Sequence, residues 1–121
     1  MIGHMANALL LVEDMKRVTE FYRDVLGLKP ILNPKGVSDD DWIEFDTGTC
    51  RLTLHPVKFE KGKAPGNSVK LRFFTEDVKS ERAKLETRGV RMGEIITWGE
   101  LERCEGKDPE GHVFQISNCK Y

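Results

Sequence analysis

Long apolar runs are missing from this chain of 121 residues. The longest, Ala8 to Val12, falls far short of the roughly 20 residues that a bilayer-spanning helix needs, so no transmembrane helix is expected. No basic stretch followed by an apolar one opens the sequence, and it reads as lacking a secretory signal. Residues 1–4, which include Gly3 and His4, stand open between native sequence and a cloning remnant, with Met5 then the natural start. Polybasic clusters are missing too. Nineteen Lys and Arg against 20 Asp and Glu leave a net charge of −1, so neither nucleic acid nor an anionic membrane is an expected partner. Cysteine is scarce: Cys50, Cys104 and Cys119 are odd in number and form no CxxC spacing. They read as three reduced thiols in a cytoplasmic protein, with nothing local to activate one as a nucleophile.

What remains is an ordinary globular composition, 39% hydrophobic and 32% charged, whose length suits one domain or two small halves sharing a core. Ala8 to Val12 reads as a buried strand. Asp14 is placed to cap a helix, since its carboxylate can accept from the orphan amides of the first turn. Met15, Val18, Tyr22 and Val25 form one face of that helix, and Gly27 ends it, because glycine takes positive φ without a Cβ clash. Strands are then expected over "LKPILN", "DWIEFD" and "CRLTLHPV", separated by the turns "PKG" and "TGT".

After "KFEKGKAPGNS", which reads as a linker, the pattern restarts. "VKLRFFT" alternates as a strand, Asp77 caps a helix that turns Val78 and Leu85 inward, and Gly89 stops it. "MGEIIT" reads as a strand, "WGE" as a turn, "LERCEGK" as a strand, "DPEG" as a turn and "HVFQISN" as the last strand. Glu13 to Glu76 and Asp14 to Asp77 are each 63 residues apart, while Gly27 and Gly89 are 62 apart. The same βαβββ order occurs twice, so the chain reads as a duplication. The expected organisation is one domain over 1–121, with module 1 at about 5–57, a linker at about 58–67 and module 2 at about 68–119.

"VEDMKRVTEFYRDVLGL" and "DPEGHVFQISN", at this separation, resemble the glyoxalase / bleomycin resistance / extradiol dioxygenase superfamily, the vicinal oxygen chelate proteins. The resemblance implies an α+β fold: two βαβββ modules forming a cupped mixed sheet with the helices outside. It implies a small-molecule ligand held in the cup and a homodimer. In enzymes of the group a divalent metal binds there and acts as a Lewis acid on an oxyanion. The resemblance also supplies the ligand positions. Counting seven residues back from each capping aspartate gives Asn7 and Lys70, and the later strands give Thr53 and Gln115. An amide, a hydroxyl, an ammonium and another amide make a poor set for zinc, nickel or iron, which take imidazole, carboxylate or thiolate. The expectation is therefore no metal and no other cofactor, a bound divalent metal being the alternative.

The same face is expected to carry Arg51, His55, Arg72 and Phe74, with Leu9, Leu11 and Val113 as its apolar floor. Arg51, Lys70 and Arg72 make it cationic, which suits a small anionic or aromatic ligand. The competing account pairs those cations with Glu44 and other acids in a structural network. His55 is placed between this face and an exposed strand end, and His112 is expected on the opposite face. Trp42 and Trp98 are expected at the walls or rim. The alternative function is a lyase or isomerase of the glyoxalase type, or a dioxygenase-related enzyme, with an altered site. In that case Glu44 is the candidate base and Lys70 with Arg72 polarise an oxyanion.

Overall fold

The computed structural model describes residues 1, 3, 5–32, 37–58 and 69–120. His4, the turn at Pro34 to Gly36 and all of the expected linker except Lys58 lie outside the described residues. The chain divides into two compact units, Met1–Lys63 and Ala64–Tyr121.

In the first unit, β1 (Asn7–Val12) leads through Asp14 into α1 (Met15–Glu20), followed by β2 (Lys29–Ile31), β3 (Ile43–Asp46) and β4 (Arg51–Pro56). The sheet order is β1-β4-β3-β2. β1 runs parallel to β4, from Asn7 opposite Arg51 to Val12 opposite Pro56, and the other pairs are antiparallel. Asp14 caps the helix as expected, its Oδ1 accepting from the Arg17 amide at 3.1 Å. The alternation of the strands puts Leu52, Leu54 and Phe45 on one face, where they are buried with Val18 and Tyr22 of the helical segment. Tyr22 and Phe45 meet ring to ring at 6.3 Å between centroids.

The second unit repeats this plan. β5 (Leu71–Phe74), α2 (Val78–Thr87), β6 (Ile96–Trp98), β7 (Leu101–Lys107) and β8 (Val113–Ser117) give the order β5-β8-β7-β6. β5 is parallel to β8, and Asp77 caps α2 through the Ser80 amide at 3.0 Å. Val78 and Leu85 point inward and are buried with Cys104, Phe114 and Ile116. Each unit is thus a four-stranded mixed sheet with one helix, and the fold class is α+β. No described helix is long and apolar enough to cross a membrane.

The mismatch of one residue between the two copies has a structural cause. After Glu20 the first helix widens into a π turn over Phe21–Val25, where the Leu26 amide bonds to the Phe21 carbonyl at 3.1 Å. An i→i+5 bond takes up one extra residue, so Gly27 still arrives at the helix end with φ of 78°. Gly89 ends α2 at φ of 90° without any such insertion.

The core is shared out differently as well. Phe45 faces Leu52 in the first sheet, and the register-equivalent pair in the second is Gly106 facing Phe114. A Cβ on Gly106 would stand 2.6 Å from the Met92 sulfur and 2.9 Å from the Phe114 ring, so glycine is required there for close approach rather than for backbone freedom.

One expected strand needs correction. "MGEIIT" is not extended from Met92. The strand is Ile96–Trp98, and Trp98 belongs to it, opposite Leu101. Arg82 of α2 donates to the Gly93 carbonyl at 2.8 Å and the Gly93 amide donates to Glu105 O at 2.8 Å. These bonds hold the segment before Ile96 in irregular backbone. The turn then needs only two residues, with Gly99 at φ of 60° in the first central position, a hairpin geometry that matches strand twist. At the other end of β7 the "DPEG" turn forms as expected, its Gly111 amide bonding Asp108 O at 3.0 Å. The Asp108 side chain adds more than the pattern foretold: it accepts from the Glu110 and His112 amides and meets His112 Nδ1 at 2.7 Å.

Each capping aspartate satisfies an otherwise orphaned amide, so Asp14→Ala and Asp77→Ala should each lower stability by about 1 kcal/mol. Urea unfolding of the two variants checks this. Unchanged midpoints would mean that the caps contribute nothing to the corners.

Candidate functional site

In each unit the strands have a second face, turned away from the helix, and that unit's candidate residues lie on it. In the first sheet one cross-strand row runs Ile31, Glu44, Thr53, Leu9, and the next runs Lys29, Asp46, Arg51, Asn7. His55 and Leu11 form a third. Asn7 Nδ2 donates to Thr53 Oγ1 at 2.9 Å, and Thr53 is fully buried. Glu44 is held on both oxygens: the Trp42 indole N–H donates to Oε1 at 2.8 Å, and Arg51 donates to Oε2 at 2.7 Å. His55 sits edge-on to Trp42, with centroids 5.7 Å apart, and its Nδ1 lies 3.3 Å from Asp41 O. Trp42 therefore links Glu44 to His55, a role the sequence reading did not give it.

In the second sheet the corresponding row is Glu105, Gln115, Arg72. Lys70 Nζ pairs with Glu105 Oε2 at 2.7 Å. Gln115 donates to the same carboxylate at 3.1 Å and accepts from Arg72 Nε at 2.6 Å. Phe74 lies one row further along β5, 48% exposed, with Lys120 Nζ 5.8 Å from its ring centre. The register makes Gln115 the counterpart of Thr53, and Glu105 the counterpart of Glu44. Glu105 belongs to the same face as the candidate residues, and the sequence reading did not name it. The repeat held the signal, because Glu105 faces Gln115 across the second hairpin as Glu44 faces Thr53 across the first.

Of the three cations expected to make this face basic, Arg51 and Lys70 are each neutralised by a glutamate at 2.7 Å. Arg72 bonds a neutral amide. In the first sheet the two positions named as metal ligands, Asn7 and Thr53, bond to each other. In the second, Lys70 and Gln115 are joined through Glu105. Among the described residues no three His, Cys, Asp or Glu side chains cluster in an arrangement that could hold a metal ion. Gln115 presents its oxygen to a guanidinium, and Lys70 brings a positive charge, so the donor chemistry does not fit a divalent cation.

The carboxylates are tuned away from base chemistry. The Trp42 hydrogen bond, with Arg51 adding to it, outweighs burial and holds the Glu44 carboxyl below the usual glutamate range. The Lys70 contact, aided by Gln115, does the same for Glu105. A lowered pKa with both oxygens occupied makes Glu44 a weak proton acceptor. The cysteines are free, and burial pushes the Cys104 thiol up, away from the reactive thiolate. Neither sheet therefore presents an activated base or thiol among these candidate residues.

A model of the Glyoxalase/Bleomycin resistance protein/Dioxygenase superfamily matches residues 1–116. Among solved structures, an integron cassette protein from the mobile metagenome of V. cholerae is 27% identical, with a TM-score of 0.71 over 97% of this chain and 95% of that one. An antibiotic-binding protein from Streptomyces sp. CB03234 is 23% identical, with a TM-score of 0.72 over 95% and 94%. A lactoylglutathione lyase from Agrobacterium tumefaciens is 19% identical, with a TM-score of 0.72 over 97% and 94%.

Both depressed glutamates stabilise the fold above the unfolded glutamate pKa of about 4.3. That contribution is lost as pH falls through the lower folded values. Trp42→Phe removes the larger cause at Glu44, so the Glu44 carboxyl should titrate at higher pH and acid unfolding should begin earlier. Carboxyl ¹³C NMR titration alongside urea unfolding from pH 6 to 3 reads both. An unaltered Glu44 titration in the variant would show that the indole bond does not set it.

Proposed function

The chain belongs to the Glyoxalase/Bleomycin resistance protein/Dioxygenase superfamily, and on that footing we propose that it binds a small anionic or aromatic molecule on the helix-free side of its sheets, without metal-assisted chemistry. The observation that carries this reading is the state of the four positions named as ligands. Asn7 and Thr53 satisfy each other, while Lys70 and Gln115 share the Glu105 carboxylate. To bind a cation, each pair would first have to give up these bonds, and Lys70 would still oppose the charge.

The same bonds argue against a lyase or isomerase. That chemistry needs an electrophile for the oxyanion and a base for the proton. Glu44, the candidate base, has its lone pairs directed at Trp42 and Arg51. Binding without reaction asks for less: a shaped apolar surface and a few fixed donors. The antibiotic-binding protein from Streptomyces has this fold, which supports binding as a use for it.

Protein purified without chelator should carry far less than one equivalent of Zn, Ni, Fe or Mn by elemental analysis. A panel of small carboxylates, phosphates and neutral aromatics should contain at least one compound that raises the melting temperature; at 100 times its Kd, such a ligand stabilises by about 2.7 kcal/mol. Stoichiometric metal that restores turnover of a glyoxalase substrate would sink the proposal.

A further inference from the structure

The two helix-free faces differ in charge. On the first, Lys29 and Arg51 lie among Asp46 and Glu44, so cations and carboxylates balance. On the second, Lys70, Arg72, Arg103 and Lys107 share the face with Glu105 as the one carboxylate of its rows. Lys70 is consumed by Glu105. Arg72 is not consumed: its Nε is fixed by the Gln115 oxygen at 2.6 Å, and no carboxylate meets it among the described residues. The contact orients the guanidinium without cancelling its charge, because the partner is a neutral amide. Gln115 is in turn held by Glu105 at 3.1 Å and is 5% exposed, so Arg72 is anchored to a buried, rigid group. Arg72 itself is exposed, and its terminal Nη groups are left to bind.

Beside that cation stands an exposed ring. Phe74 follows Arg72 at the next position on the same face of β5. The row through Phe74 continues across Ser117 and Arg103 to Ile96. Phe74 is 48% and Ile96 52% exposed. A fixed guanidinium with two free Nη groups matches a planar carboxylate bidentately, and an exposed ring two residues along offers stacking to whatever carries it.

We propose that the helix-free face of the second sheet anchors a small monocarboxylate with an aromatic body, Arg72 holding the carboxylate and Phe74 the ring, with Gln115 as the positioning residue. This rests on the small-molecule reading above and narrows it to one charge type and one sheet. A phosphate dianion is a poorer match, because its second charge would stand near the Glu105 carboxylate, and a cation is repelled outright.

NMR titration of the whole chain with benzoate, phenylacetate, benzamide and inorganic phosphate tests it, with melting temperature recorded for every variant. Saturable shifts are expected at Arg72 Nε–H, the Gln115 side-chain amide and Phe74 with the two carboxylates, and binding of the neutral benzamide should be about tenfold weaker or worse. Arg72→Gln and the near-isosteric Gln115→Glu, which supplies the missing negative charge to Arg72, should each weaken both carboxylates at least about tenfold. Arg91→Gln, which changes an exposed arginine outside the strands, should leave them unchanged. Phe74→Ala should weaken benzoate and phenylacetate and leave phosphate unaffected. If neither carboxylate binds, if Arg72→Gln binds them as the parent does, if their shifts centre on Arg51, or if phosphate binds more tightly, the assignment is wrong. A thermal-shift hit from a neutral aromatic compound together with silent carboxylates would overturn this inference while leaving the broader binding proposal standing. Absence of any hit alongside stoichiometric metal would remove both.

Discussion

Each unit depends on one pairing, the parallel contact between its first strand and its last. In the first unit Asn7 lies against Arg51, and in the second Leu71 lies against Phe114. A parallel pair cannot be joined by a hairpin, so the chain between must cross over. The crossover carries the helix, which places the helix on one face. That choice assigns every other side chain. On the last strand of each unit, Leu52 and Leu54, or Phe114 and Ile116, turn to the helix and are buried, while Thr53 and Gln115 turn to the other face. The capping aspartates hold the strand-to-helix corner of the same crossover, so the helix starts at a fixed point relative to the pairing. A slip of one residue between first and last strands would reverse both faces at once.

This explains why so much of the fold was legible. The cap, the helix face, the terminal glycine and the alternation of the long strands are local signals with local causes, and the repeat reads them twice. Failures came where a tertiary contact overrode the local pattern. Met92 to Ile95 looks like strand by composition, yet Arg82 binds the backbone at Gly93 from the neighbouring helix and leaves only Ile96 to Trp98 to pair. The one-residue mismatch between the copies was visible in the sequence. Its absorption as a π turn at Phe21–Val25 was not, because nothing in those side chains distinguishes an i→i+5 bond from an i→i+4 bond.

Which candidate side chains share a sheet face was legible, and how they bond to one another was less so. Counting back from the aspartates gave Asn7 and Lys70, the resemblance gave Thr53 and Gln115, and the register places Thr53 and Gln115 at matching points of the two sheets. Residue types alone left two accounts open for the cations, a free basic surface or an ion-paired network. The geometry divides them: Arg51 and Lys70 are paired with glutamates, and Arg72 is bound to an amide. Glu105 escaped notice since its importance comes from the strand opposite, where Gln115 lies. A strand read by itself shows only which residues alternate.

The two faces of the sheets have diverged under different constraints. Toward the helix the limit is volume. A ring on β3 facing Leu52 in one unit is answered by a ring on β8 facing a glycine in the other, so the space is filled either way with the bulk moved to the opposite strand. On the other face the limit is charge. Both units place a glutamate at the same register point, and a half-buried carboxylate needs donors. The first unit supplies an indole and a guanidinium. The second supplies an ammonium and an amide. The second choice has a consequence that the first does not. Spending Lys70 on Glu105, and only an amide on Arg72, leaves a fixed positive charge beside an exposed ring. The asymmetry between the copies, more than the symmetry that reveals the fold, is therefore what the proposed ligand preference rests on.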